Sequence, residues 1–237
     1  MEVKLDLHIH SVRSPDGCME LEEIVERARE AGLQGVAVCD HDLTMETVPE
    51  FPDFLVIPGV EVSTDRGHLL GLFVTKGIES RRAEEAVEEI HRQGGLAVLA
   101  HPFERRRDGD HILPVASRLD GLEVWNSRAD RKHRQANAMA EAFAREHGLA
   151  PFAGSDAHVP QEVGNGVIRV EAEALTPEAV REALRRGTGQ VVRRKESRAW
   201  YTAKSQLHKR RRTGAGALAY AKWGAFAVKC LLRDLTG

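Results

Sequence analysis

A chain of 237 residues and 26.2 kDa can bury one sizeable hydrophobic core, whereas two full-sized domains would fit only tightly. With 42% hydrophobic and 30% charged residues, 21 glycines and 9 prolines, it is too apolar for a disordered chain and too balanced for a low-complexity one. The formal net charge of −2 hides an asymmetry, because residues 1–192 carry 22 Lys/Arg against 34 Asp/Glu while residues 193–237 carry 12 against 2.

In chain order, short apolar runs alternate with amphipathic stretches, the rhythm of a sheet with helical crossovers. Strands are predicted at 3–9, 35–39, 54–57, 69–74, 96–99, 121–124, 151–153 and 167–170, and helices at 21–31, 80–93, 129–147 and 177–186. Thr176-Pro177 reads as the cap and first residue of the last of these helices, and Gly32, Gly94, Gly148 and Gly187 as helix ends. The fold class is therefore α/β with a parallel sheet and helical crossovers. Three widely spaced cysteines, Cys18, Cys39 and Cys230, exclude a disulfide framework and a thiolate-rich zinc module. Together with Asp6, His8 and His10, which interrupt the N-terminus where an export signal is apolar, they predict a cytoplasmic setting.

Polar residues of metal-ligand type follow the apolar runs: Asp6, His8 and His10 in LDLHIH, Asp40-His41-Asp42 after VAVC, Glu61 in IPGVEVS, and His68 in RGHLLG. His101 follows LAVLA, Asn126 follows LEVW, and Asp156 and His158 stand in AGSDAH. In a barrel of parallel strands the C-terminal strand ends meet at one mouth, so these scattered residues become neighbours. Residues at i and i+2 of a strand face the same side, which lets His8 and His10 share one ion and gives Asp156 and His158 the same option. Imidazole and carboxylate without clustered thiolate suit Zn²⁺, Mn²⁺ or Fe²⁺. Asp6, Asp40 and Asp42 are expected to orient imidazoles rather than bind metal. His91, His111, His133, His147 and His208 lie in polar contexts and are expected on the surface, and Cys39 in the core.

The segments DLHIH, CDHD, AHP and SDAH, with GVEVS, the following GH and EVWN in order between them, resemble the polymerase and histidinol phosphatase (PHP) superfamily over residues 3–195. The resemblance implies a distorted (βα)7 barrel, TIM-like, holding three divalent metal ions. It assigns His8, His10, Glu61 and Asp156 to the first, Glu61, His68 and His101 to the second, and Asp16, His41 and His158 to the third, with Glu61, Asp156 and His158 serving catalysis. It also implies hydrolysis of phosphate monoesters, on a nucleotide or a 5′-phosphorylated oligonucleotide end. Cations sharing Glu61 would lie roughly 3.5–4 Å apart and bring the pKa of water between them toward 7, which makes hydroxide at neutral pH. A third cation would neutralise phosphoryl charge. Longer members carry an inserted subdomain where only 19 residues here separate His41 from Glu61, so their specificity does not transfer.

Arg13, Asn126 and Arg128 are the expected substrate contacts, Arg128 through a bidentate grip on phosphate, with Arg105-Arg106-Arg107 as further candidates. Two other readings compete. A metal-dependent amidohydrolase also opens with His-x-His, although SDAH and the lack of a lysine at a central strand end argue against it. A non-enzymatic adaptor would use the barrel only to present the basic end. The chain is divided into a barrel, 1–195, and a basic, Ala-rich, helical extension, 196–237, whose charge suits nucleic acid or an anionic membrane surface if it does not fold back onto the acidic body.

Overall fold

Strands such as GVAV and LAVL are buried on both faces, so each must be covered from two sides. The computed structural model, which describes residues 1–236, meets this by curling one sheet around its own interior and laying helices outside it. The strands are β1 (Glu2–Ile9), β2 (Gly35–Val38), β3 (Leu55–Thr64), β4 (Gly67–Leu72), β5 (Leu96–Leu99), β6 (Gly121–Asn126), β7 (Pro151–Gly154), β8 (Gly166–Glu171) and β9 (Gln190–Arg194). They run in the order β7-β6-β5-β4-β3-β2-β1-β8-β9. The ring nearly closes where β7 returns to β1: His10 N donates to Ala157 O at 2.8 Å and Ile9 bridges Ala157. Gly154 permits that seam, since a Cβ there would stand 2.3 Å from His8 Cβ.

Helices α1 (Leu21–Glu30), α2 (Ala83–Arg92), α3 (Leu113–Ala116), α4 (Ala136–Glu146) and α5 (Pro177–Arg185) surround this sheet. Leu5, Leu7, Ile57, Leu72, Val98 and Phe152 pack in the barrel interior, where Val180 and Leu184 of α5 join them. The opposite faces of the strands pack on α1 through Ile24 and Val25, and on α2 through Val87 and Ile90. Thr176 caps α5 as expected, its side chain accepting from Ala179 N, and the four glycines expected at helix ends take positive φ.

Three expectations are corrected. The sheet is only partly parallel: β3–β4, β4–β5, β1–β8 and β8–β9 are antiparallel. Only Asp65 and Arg66 lie between Thr64 and Gly67, too short a connection for a crossover, so β3 and β4 form a hairpin. The ninth strand, Gln190–Arg194, is mostly exposed, and its Val191–Val192 pair is too short an apolar run to have marked it. The helix expected over 129–147 begins at Ala136, because Gln135 is left-handed at φ 74° and Asp130 Oδ1 accepts from Asn137 N at 2.9 Å.

The basic C-terminal residues form α6 (Ala199–Arg212) and α7 (Ala217–Thr236), an antiparallel hairpin in which Asp234 accepts from Ala199 N and Trp200 N at 2.7 and 2.9 Å. The pair lies on the barrel: Ser197 bonds Glu162, Arg212 donates to Ser14 O at 2.9 Å, and Arg233 donates to Arg131 O at 2.5 Å. Among the described residues no helix is long and apolar enough to cross a membrane.

Candidate metal centre

All nine residues assigned to metals meet at one end of the barrel. His8 and His10 close β1, with Asp16 in the loop beyond. His41 follows β2, His101 follows β5, and Asp156 and His158 follow β7. Glu61 and His68 depart from the strand-end pattern. Glu61 lies inside β3 opposite Leu70, and His68 stands near the start of β4 opposite Ser63. The antiparallel hairpin brings the beginning of β4 to the same mouth that the parallel strands reach with their ends.

Glu61 is the hub. Its Oε1 lies 2.6 Å from His68 Nδ1 and 2.9 Å from His101 Nε2, and its Oε2 lies 2.7 Å from His41 Nδ1 and 3.4 Å from His10 Nε2. Burial opposes its charge, but His68 and the hydrogen bonds from its imidazole neighbours hold the carboxyl well below its ordinary range. Asp156 is likewise held low, because His8 and His10 outweigh its burial. His10 Nε2 is 3.3 Å from Asp156 Oδ1. Asp16 Oδ1 faces His41 Nε2 at 3.6 Å and His158 Nε2 at 3.7 Å.

This arrangement fits divalent cations. His8 Nε2 and His10 Nε2 point at each other across 3.2 Å, and the buried atoms Asp16 Oδ1 and Glu61 Oε2 accept no hydrogen bond from the described residues. Within three groups, His8/His10/Asp156, His8/Glu61/His101 and His10/His41/His158, the donor atoms lie within 4.8 Å of one another. Lone pairs converging from imidazole and carboxylate are a cation's donor set. Cys39 is buried in the core as expected, and burial pushes its thiol up, so it offers no thiolate.

The partners that orient the ligands differ from those expected. Glu123, buried in β6, takes His8 Nδ1 at 3.0 Å on one oxygen and His101 N at 2.8 Å and Asn126 Nδ2 at 3.0 Å on the other. Glu123 opens the EVWN segment, but that segment gives it no role; a lone carboxylate between Leu122 and Val124 in an apolar strand is the signal available. Asp40 acts through Ser14, whose hydroxyl donates to it at 2.7 Å and lies 3.2 Å from His10 Nδ1. Asp6 instead binds backbone, accepting from Ser155 N and Gly164 N at 2.8 Å each, with burial raising its pKa to about 6. Asp42 is a turn residue at φ 55°, paired with Arg81 and Ser63.

Of the three expected substrate contacts, Arg13 is exposed on the rim of a cavity of about 940 Å³ above the cluster. Arg128 also lines it, but its fork is engaged by the buried Glu162 through Nε at 2.8 Å and Nη2 at 2.5 Å, so the bidentate grip expected of it is already occupied. Asn126 does not reach the cavity; its amide bridges Glu123 and Asp156 behind the ligands. Arg105 lines the mouth. Arg131, not anticipated, lines it too, and burial followed by the neighbouring Arg128 charge lowers its pKa to about 10. His111, expected on the surface, is buried beside Phe103 with Nε2 3.1 Å from Pro102 O.

Comparison with known proteins agrees with this geometry. The chain matches the PHP domain family over residues 6–99 and the PHP-associated family over 134–188. It is 32% identical over 229 residues to a probable phosphatase of Syntrophotalea carbinolica, covering 76% of this chain and 92% of the relative. It is 24% identical over 255 residues to a 5′-3′ exoribonuclease of Haemophilus influenzae, covering 68% and 92%. A two-domain Bacteroides vulgatus protein containing a predicted PHP-like metal-dependent phosphoesterase superposes with a TM-score of 0.62 at 20% identity, over 82% of this chain and 65% of that one. The first family match takes in the candidate ligands from His8 to His68 and the second the Asp156–His158 pair, and with the 32% identity over 92% of the Syntrophotalea relative they establish that the chain belongs to the PHP family.

Proposed function

We propose that this protein hydrolyses phosphate monoesters, on a nucleotide or a 5′-phosphorylated oligonucleotide end, with residues 1–195 as the hydrolase unit. The observation that carries the reading is the convergence of nine His, Asp and Glu donors, two of them with a buried carboxylate oxygen that accepts no protein hydrogen bond, at the base of a cavity that seven of them line and whose rim is cationic. His8, His10, Glu61 and Asp156 would hold one divalent ion, Glu61, His68 and His101 a second, and Asp16, His41 and His158 a third. Mn²⁺, Zn²⁺ and Fe²⁺ all suit the donors. Bound divalent ions supply a water of lowered pKa and offset phosphoryl charge. The chain's own residues set the geometry: Glu61 would be shared between two of the ions, and Glu123 holds the His8 ring. His158 is kept neutral, its pKa driven well below the usual value by burial, Arg128 and His10. Arg13 and Arg131 would face the substrate's phosphoryl oxygens.

The phosphatase and exoribonuclease relatives support this substrate range, and three free thiols suit a reducing cytoplasm. Phosphate release should require divalent metal and stop with a strong chelator. Glu61→Gln should lower turnover at least about 10²-fold with the fold retained, a loss of a few kcal/mol of transition-state stabilisation. Activity near wild type in that variant would remove Glu61 from the reaction.

A further inference from the structure

The basic end of the chain stands over the candidate site. Gln206, Lys209 and Arg210 of α6 and Phe226, Lys229 and Arg233 of α7 line the cavity whose floor is the His/Asp/Glu cluster. Lys209 Nζ reaches Asp16 Oδ2 at 3.4 Å, so the hairpin spans from the ligand loop to the opposite rim.

Apart from Lys209, which pairs with Asp16, the cations of this wall have no carboxylate partner among the described residues. Among the described residues, Arg13, Arg210, Lys229 and Arg233 have no carboxylate within 4.0 Å, whereas Lys132 is paired with Glu104 at 2.6 Å. Arg210 and Arg233 are held by backbone carbonyls, Arg210 on Ala219 and Gln206, and Arg233 on Arg131. Lys229 has no hydrogen-bond partner among the described residues and is exposed. Like charges gathered on one concave wall raise the local potential and attract anions. One phosphoryl group on the floor would leave them unmatched.

Resting on the hydrolase reading above, we propose that the α6–α7 hairpin is the leaving-group wall of the site, and that the substrate is an ester whose leaving group carries its own phosphate charge, bound by Lys229, Arg210 and Arg233. A small phosphorylated nucleotide and the end of a nucleic-acid strand share this chemistry.

The test is equilibrium binding to the full-length, metal-loaded protein of thymidine dinucleotides bearing a 5′-phosphonate, whose carbon–phosphorus bond resists hydrolysis. One has a phosphodiester linkage and the other a neutral methylphosphonate linkage. The charged ligand should bind about tenfold tighter, equivalent to ~1.4 kcal/mol. Lys229→Gln should cut that ratio to about threefold or less and Lys229→Arg should restore it, as for a contact between charged groups. A ratio near one, or a ratio untouched by Lys229→Gln, overturns the proposal. An octanucleotide binding more than about tenfold tighter than the dinucleotide also overturns it, in favour of an open strand track; equal binding assigns the site to the small ester or strand end. Hydrolysis of the corresponding 5′-phosphate ester is scored separately. Turnover with a ratio near one leaves the phosphoesterase standing without the wall, and a sustained ratio without turnover leaves the wall standing without the phosphoesterase.

Discussion

Replacing Glu123 with glutamine changes one oxygen to an amide nitrogen at a side chain with no solvent exposure. The carboxylate serves two sides: Oε1 meets His8 Nδ1, and Oε2 accepts from His101 N and Asn126 Nδ2. A glutamine can present its oxygen to only one of them. If the oxygen faces His101 and Asn126, the amide NH₂ meets His8 Nδ1 and drives the ring proton to Nε2, the nitrogen aimed at His10 and Glu61, which removes the lone pair a cation needs. If it faces His8, two buried donors lose their acceptor, at about 1–3 kcal/mol. His101 is also left-handed at φ 28°, a conformation that the bond from its N–H to Glu123 helps hold. Loss of such an orienting partner weakens metal binding about 10–100-fold, and the stability loss corresponds to roughly 2–10 °C in Tm for a chain of this length. Chelator competition gives the first number and thermal unfolding in excess metal the second. A variant with metal affinity within about twofold of wild type and an unchanged Tm would refute the role assigned to Glu123.

Gly154→Ala places a methyl group 2.3 Å from His8 Cβ and 2.8 Å from His8 N, so the β7–β1 seam must open. The expected cost is about 1–3 kcal/mol, with weakened metal binding, and a Tm within experimental error of wild type would refute it. Arg128→Met leaves the fully buried Glu162 carboxylate with only the more distant Arg131, 3.9 Å away, as counter-charge, which should cost about 3 kcal/mol in chemical denaturation; Arg128→Met with Glu162→Gln should recover much of it. The pH dependence should change sign with metal. In the metal-free protein, His8 and His41 titrate above their ordinary range. Burial opposes the charge on His101, but Glu61 and Glu104 outweigh it and raise its pKa to about 9. These raised groups stabilise the fold below about pH 6.5 and lose that contribution as pH climbs toward 9, so Tm in chelator should fall across this window. With metal present Tm should rise over the same interval, because the cation no longer competes with protons. Parallel trends with and without metal would contradict the assignment.

What could be read from the sequence was local. Histidines two apart at the end of an apolar run, His8 and His10, share a side by strand geometry alone, and Thr176-Pro177 caps a helix by its own chemistry. The α/β class and eight of the nine donors followed from such short patterns repeated along the chain, whereas Asp16 and the grouping of the donors came only with the family resemblance. What depended on distant segments was not legible. The hairpin that carries His68 to the mouth reverses a strand direction that apolar runs do not encode. Glu123 gains its meaning only when β6 meets His8 across 115 residues, and Arg128 is engaged by Glu162 34 positions away. The charge excess after residue 192 was plain in the composition, but its place over the His/Asp/Glu cluster arises from tertiary packing: Ser197 on Glu162, Arg212 on Ser14 and Arg233 on Arg131 draw the two helices across the barrel mouth. Propensity and periodicity describe how a segment folds on itself, and burial against a partner far along the chain decides what its side chains touch.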